Sequence, residues 1–163
     1  MTHRSNSIII LVASRALARL IQVFGIYVII HGHYSPGGGF QGGALLAAGV
    51  ILMRMGHGRE ESQRELSTEA AIPLAAIGAL LFAGVGLITL AFGGHYMDYG
   101  AVPVPGVEEP MVRYYGILLV EFGIGLAVMT VLVGIFDDLL GSERNEQPAL
   151  ADRKAAENEE RHD

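Results

Sequence analysis

One acid stands alone in an apolar run. Glu121 lies in the stretch Tyr114–Phe136, which has no other charged residue. An ionisable group at membrane depth is costly unless it is protonated, paired or facing water, so such a residue is a candidate for handling a proton or a cation. By helical rise it sits ~13 Å, about nine residues, from one end of its segment. The plainer account is a protonated acid donating one hydrogen bond to a neighbouring helix. Arg15, Arg19 and Gln22 fall at i, i+4 and i+7, one stripe of a first helix. If the helices begin level, Gln22 lies at the depth of Glu121, and a Glu121–Gln22 hydrogen bond or a Glu121–Arg19 pair is expected. The candidate ion or proton pathway is therefore Glu121, Gln22 and Arg19. Snorkelling arginines and a polar helix–helix contact are the competing account.

The histidines offer less. His31 and His33 form His-x-His at the end of the first apolar segment, but few carboxylates lie nearby and the chain has no cysteine. A metal site needs more ligands than that. Interfacial hydrogen bonding or turn capping accounts for the pair, and His57 and His95 read as isolated, solvated residues. Gly37–Gly42 formally matches G-x-G-x-x-G, yet the dinucleotide fingerprint requires a preceding strand in a βαβ unit. Here an apolar helix precedes it, and nucleotide binding is rejected. No nucleophile–base pair or metal cluster is present, so the chain is expected to be no enzyme and to carry no cofactor.

The elements that must position these residues are apolar helices. The chain has 163 residues, 51% of them hydrophobic, and its charge is uneven: Ile72–Phe92 has none, while the last twenty-odd residues are mostly polar. That pattern marks an integral membrane protein with a polar tail. The net charge of -6 arises largely in the tail, and no basic patch suggests nucleic acid. Without cysteine, disulfides and thiolate metal or iron–sulfur sites are excluded in this chain.

Four apolar segments cover about 7–31, 40–55, 71–93 and 112–137. About 20 residues are needed to span a ~30 Å hydrocarbon core. The second segment is short unless the glycine-rich stretch before it supplies its first turn. Arg15 and Arg19 interrupt the first segment early, so it reads as a retained helix and not a cleaved leader. Pro73 fits the first turn of the third helix, and Gly93–Gly94 ends it. Small residues recur at packing spacing: Gly39, Gly43 and Ala47; Ala75, Ala79 and Ala83; Gly116, Val120 and Gly123.

Arginine and lysine concentrate in the N-terminal region, the 54–70 loop and the tail, and are missing from 32–39 and 94–111. The positive-inside rule then puts both termini in the cytoplasm and the glycine-rich turn outside. Tyr34, Tyr96, Tyr99, Tyr114 and Tyr115 gather at the same outer boundary. The fold class is an all-α integral membrane protein with four transmembrane helices, multi-pass in the cell (inner or plasma) membrane. Residues 7–138 form the membrane domain, and 139–163 a charged cytoplasmic tail expected to be disordered. The 94–110 loop, with Pro103, Pro105 and Pro110, is expected to be rigid and irregular, and the 56–69 loop to hold a short surface helix.

One segment is diagnostic. His31-Gly-His33-Tyr-Ser-Pro36-Gly37-Gly38-Gly39-Phe40-Gln-Gly42-Gly43 resembles the signature of the MnhB (MrpB-like) subunit of Mrp-type multisubunit cation/proton antiporters. Glu121-Phe-Gly-Ile-Gly125 resembles that family's second landmark, an acid followed by an apolar residue and glycine in the last helix, with Glu where many members have Asp. The resemblance spans roughly 7–138. It implies a non-catalytic subunit of a membrane complex that exchanges Na⁺ for H⁺, with sister subunits and the lipid bilayer as partners. Related small subunits occur in membrane-bound hydrogenase-type ion pumps, and a purely structural scaffold is the third alternative. One glutamate and two arginines are too few ionisable groups for a complete transmembrane relay within this chain.

Overall fold

The computed structural model of the chain describes residues 7–32, 37–57 and 66–159, with 68 and 141–159 described by backbone alone. His33 and Pro36 of the signature, and most of the 56–69 loop expected to hold a surface helix, lie outside the described residues. The described chain is helical: α1 (Ile8–His31), α2 (Gly39–His57), α3 (Thr68–Ala91), a 3-10 turn (Tyr99–Ala101) and α4 (Glu109–Glu159). Each α-helix contains a stretch long and apolar enough to cross a membrane, that of α4 being Glu109–Leu140. α2 begins at Gly39 and runs on to His57, so the short second segment gains a residue at its start and two at its end and reaches 19 residues.

Helix ends follow local chemistry. Ser67 caps α3, its side chain accepting from the Ala70 N–H at 3.2 Å. A hydroxyl there satisfies a donor that the first turn leaves free. The cap starts α3 three residues earlier than its apolar pattern suggests, so Pro73 sits in the helix interior and not in the first turn. At the other end Gly93 has φ +82°, with Gly93 N–H bonded to Leu90 O (3.0 Å) and Gly94 N–H to Thr89 O (3.1 Å). This paired reversal needs a left-handed residue just past the helix, which glycine adopts without penalty.

The four helices form a row in the order α1, α2, α4, α3; among the described residues α1 and α3 do not touch. The directions can be read from close approaches at glycines. Gly42 meets Ile29, Gly49 meets Gln22 and Gly56 meets Ser14, so α1 and α2 are antiparallel. Gly78 meets Gly123 and Gly134 meets Ala71, so α3 and α4 are too. Along the central seam Gly39 faces Glu121, Gly43 faces Gly125 and Arg54 faces Asp137. That offset of 82 residues, 83 at the last pair, means that α2 and α4 run side by side in the same direction. The buried apolar cluster Ala47, Val50, Leu66 and Val133 lies on this seam.

The helices do not begin level. Glu121 is the thirteenth residue of α4 but faces the first residue of α2, so α4 overhangs α2 by ~18 Å at twelve residues of helical rise. The α3–α4 hairpin thus extends past the α1–α2 hairpin at the end bearing the 92–108 loop. That loop packs on its own hairpin. Tyr99 lies over Gly116, and Thr89 pins the chain reversal: its hydroxyl is 2.8 Å from Gly86 O and 3.0 Å from His95 O, and it accepts from Met97 N–H at 3.0 Å.

Candidate functional site

Glu121 and the glycine-rich turn, separate features in the sequence, form one site. The Gly39 backbone N–H donates to Glu121 Oε2. Gly39 opens α2, and the first four N–H groups of a helix have no partner within it. Those donors carry the positive end of the helix dipole, which attracts a carboxylate. The acid of α4 therefore finds partial positive charge and a donor on the backbone of α2.

The site also explains why its backbone is glycine. A Cβ on Gly38 would fall 2.5 Å from Glu121 Oε2 and 2.7 Å from Oε1, and one on Gly39 would fall 2.9 Å from Ile124 Cβ. Gly38 has φ +101°, a region L residues avoid. The remaining glycines serve the walls of the site: a Cβ on Gly42 would lie 2.7 Å from Gly25 O on α1, and one on Gly43 2.6 Å from Gly125 O on α4. Backbones approach this closely only where side chains are absent. Gly38, Gly39, Gly42 and Gly43 are buried, Glu121 is half-buried, and Gly37 and Phe40 are exposed.

The expected Glu121–Gln22 and Glu121–Arg19 contacts are not made. Gln22 lies against Gly49, ten residues or ~15 Å further along α2 than Gly39. Its amide oxygen accepts instead from Arg19 Nη1 at 3.1 Å. The cause is the overhang of α4, which brings Glu121 level with the start of α2, while Gln22 lies well inside α1. His31 stacks on Tyr27 with ring centroids 4.1 Å apart, and its Nδ1 lies 3.2 Å from Tyr27 O, one turn back.

Above the site stands Tyr99, in the 3-10 turn. Its phenol is held above its ordinary proton affinity, first by burial, then by the negative charge of Glu121 and by Tyr96. An apolar cavity of about 300 Å³ opens beside it, lined among others by Val85, Val104, Val112, Tyr115 and Leu119.

A second polar site escaped the sequence. Arg54 Nη1 pairs with Asp137 Oδ1, both residues 1% exposed, and Arg54 Nη2 donates to Leu66 O at 2.7 Å. His57, read from sequence as solvated, is buried at 4% exposure with Nδ1 3.5 Å from the hydroxyl of buried Ser14. One signal was available. Arg54 follows Gly43 by eleven residues, close to three full turns, which returns it to the seam face. In the sequence it counts only as a topology charge. The small-residue stripes were partly right: Gly39, Gly43 and Ala47 line the seam, but α3 meets α4 through Gly78, and Ala79 is exposed. Among the described residues no group of three or more His, Asp or Glu could hold a metal ion.

Comparison with known proteins bears on this geometry. Residues 9–134 match a family described as a domain related to the MnhB subunit of the Na⁺/H⁺ antiporter. Proteins provisionally named antiporter subunit mnhB2, from Staphylococcus aureus strains Newman and COL, are each 30% identical over 142 residues. The match covers 85% of this chain and 97% of theirs.

Proposed function

The chain belongs to the MnhB family of Na⁺/H⁺ antiporter subunits, and from that premise we propose that it joins sister subunits in a membrane and lends Glu121 to their cation or proton pathway. The observation that carries the reading is the seating of the Glu121 carboxylate on the N-terminus of α2. An acid held by backbone dipoles can exchange a proton or a cation without breaking an ion pair. Its charge is also felt by Tyr99 in the adjoining loop. The matches are to antiporter subunits, which favours that setting over a hydrogenase-type pump. The cationic residues flanking the Ser7 and His57 ends support a cytoplasmic placement of both termini. On that orientation the site faces the outer half of the membrane.

The test is Na⁺-dependent proton movement in inverted vesicles that hold the whole complex. Glu121→Gln is expected to reduce exchange at least tenfold with complex abundance kept, and Glu121→Asp to retain part of it. Wild-type exchange in Glu121→Gln would end the pathway reading. Loss of the assembled complex in both variants would mark Glu121 as a structural element of a scaffold.

A further inference from the structure

We propose that Arg54 and Asp137 are positioning residues that set the axial register of α2 against α4, and through it the seat of Glu121. The inference rests on the pathway reading of Glu121 for its functional consequence, though not for its geometry. At its Glu121 end the seam between the two helices is built largely from close backbone approaches: Gly39 lies against the Glu121 backbone and carboxylate and Ile124 Cβ, and Gly43 against the Gly125 backbone. Small residues let helices approach, but they offer few knobs to resist sliding. A slip of one residue moves a helix ~1.5 Å along its axis, enough to take the Gly39 N–H away from the acid that needs it. The glycine end therefore requires an anchor elsewhere on the same seam.

Arg54 and Asp137 provide it. They lie on the same seam, fifteen residues beyond Gly39 and sixteen beyond Glu121, with nearly the same offset between helices. Their pairing is buried and directional, and the second guanidinium nitrogen is tied to Leu66 O, just before the Ser67 cap of α3. The planar fork of arginine fixes both contacts at once, which an ammonium cannot reproduce. A buried ion pair often contributes little stability compared with apolar residues of similar volume, and its best-attested use is to specify register.

The chain has no cysteine, so register can be read by oxidative cross-linking in the assembled complex. Ala47→Cys with Met129→Cys, which keep the seam offset, report the native register. The decisive background is Arg54→Met with Asp137→Leu, which leaves no uncompensated charge. It is expected to lower the native cross-link at least threefold and to displace the pH midpoint of Na⁺-dependent exchange. If that background fails to assemble, Arg54→Lys passes through the same two readouts with the same expectation. An unchanged native cross-link in whichever background assembles overturns the proposal. Wild-type exchange in Glu121→Gln would instead overturn the pathway reading, leaving the cross-linking result to stand on its own.

Discussion

The two ends of the α2–α4 seam solve the problem of a buried carboxylate in different ways. At one end Glu121, half-buried, rests on backbone N–H at a helix start. At the other Asp137, 1% exposed, meets a full positive charge on Arg54. Removing one partner of a buried ion pair strands a charge, so such a pair resists a change of state. A helix terminus offers fractional charge and remains in place whether the acid is charged or neutral. The first arrangement suits a group that must change state, the second a group that must not. On the proposed reading, the seam pairs a working end with a fixed end.

The contrast can be broken most sharply at the fixed end. Arg54→Met alone is expected to destabilise the subunit by about 3–5 kcal/mol, because buried Asp137 loses the Arg54 guanidinium. Loss of the subunit from the solubilised complex would show it, and adding Asp137→Leu should restore most of the abundance. Gly39→Val comes next: a branched side chain there meets Glu121 and Ile124, so the complex should assemble poorly and show no exchange. Overpacking of this kind costs roughly 1–3 kcal/mol, more where backbone is the obstacle. Glu121→Gln should barely move the melting temperature of the complex while exchange falls, which separates the working end from the fixed one. Thr89→Val removes the hydroxyl that pins the chain reversal after α3. It should cost about 1 kcal/mol, seen as faster proteolysis of the 92–108 loop. The smallest effect is expected at Arg113, exposed and bridged to Glu109 and Asp98. Arg113→Gln should leave abundance and exchange at wild-type values, since solvent screens such pairs.

Much of this was legible in the residue order. Long apolar runs with few charges announced four helices, and the density of glycine in 37–43 pointed to close packing where the second helix starts. What it contacts was not legible. The partner is 82 residues away in sequence, and its identity depends on α4 starting three turns before the level of α2. With level starts, Gln22 seemed the natural neighbour of Glu121; the overhang replaced it with Gly39. His57 was misread, and the burial of Arg54 went unseen, for a related reason. A polar residue near the end of an apolar segment looks solvated until another helix is known to cover it, and here α1 and α4 do so through Ser14 and Asp137.

The sequence by itself therefore determined the number of helices, their approximate limits, the lone acid and the family. These depend on local composition and on the backbone's need for internal hydrogen bonds wherever water is excluded. Only the tertiary structure decided which helix ends meet, that α2 and α4 run in parallel, and that a glycine-rich turn and a glutamate are halves of one site. Those outcomes depend on axial offsets between helices. An offset is set by the sum of many packing contacts across the seam, and no single stretch of residues encodes it.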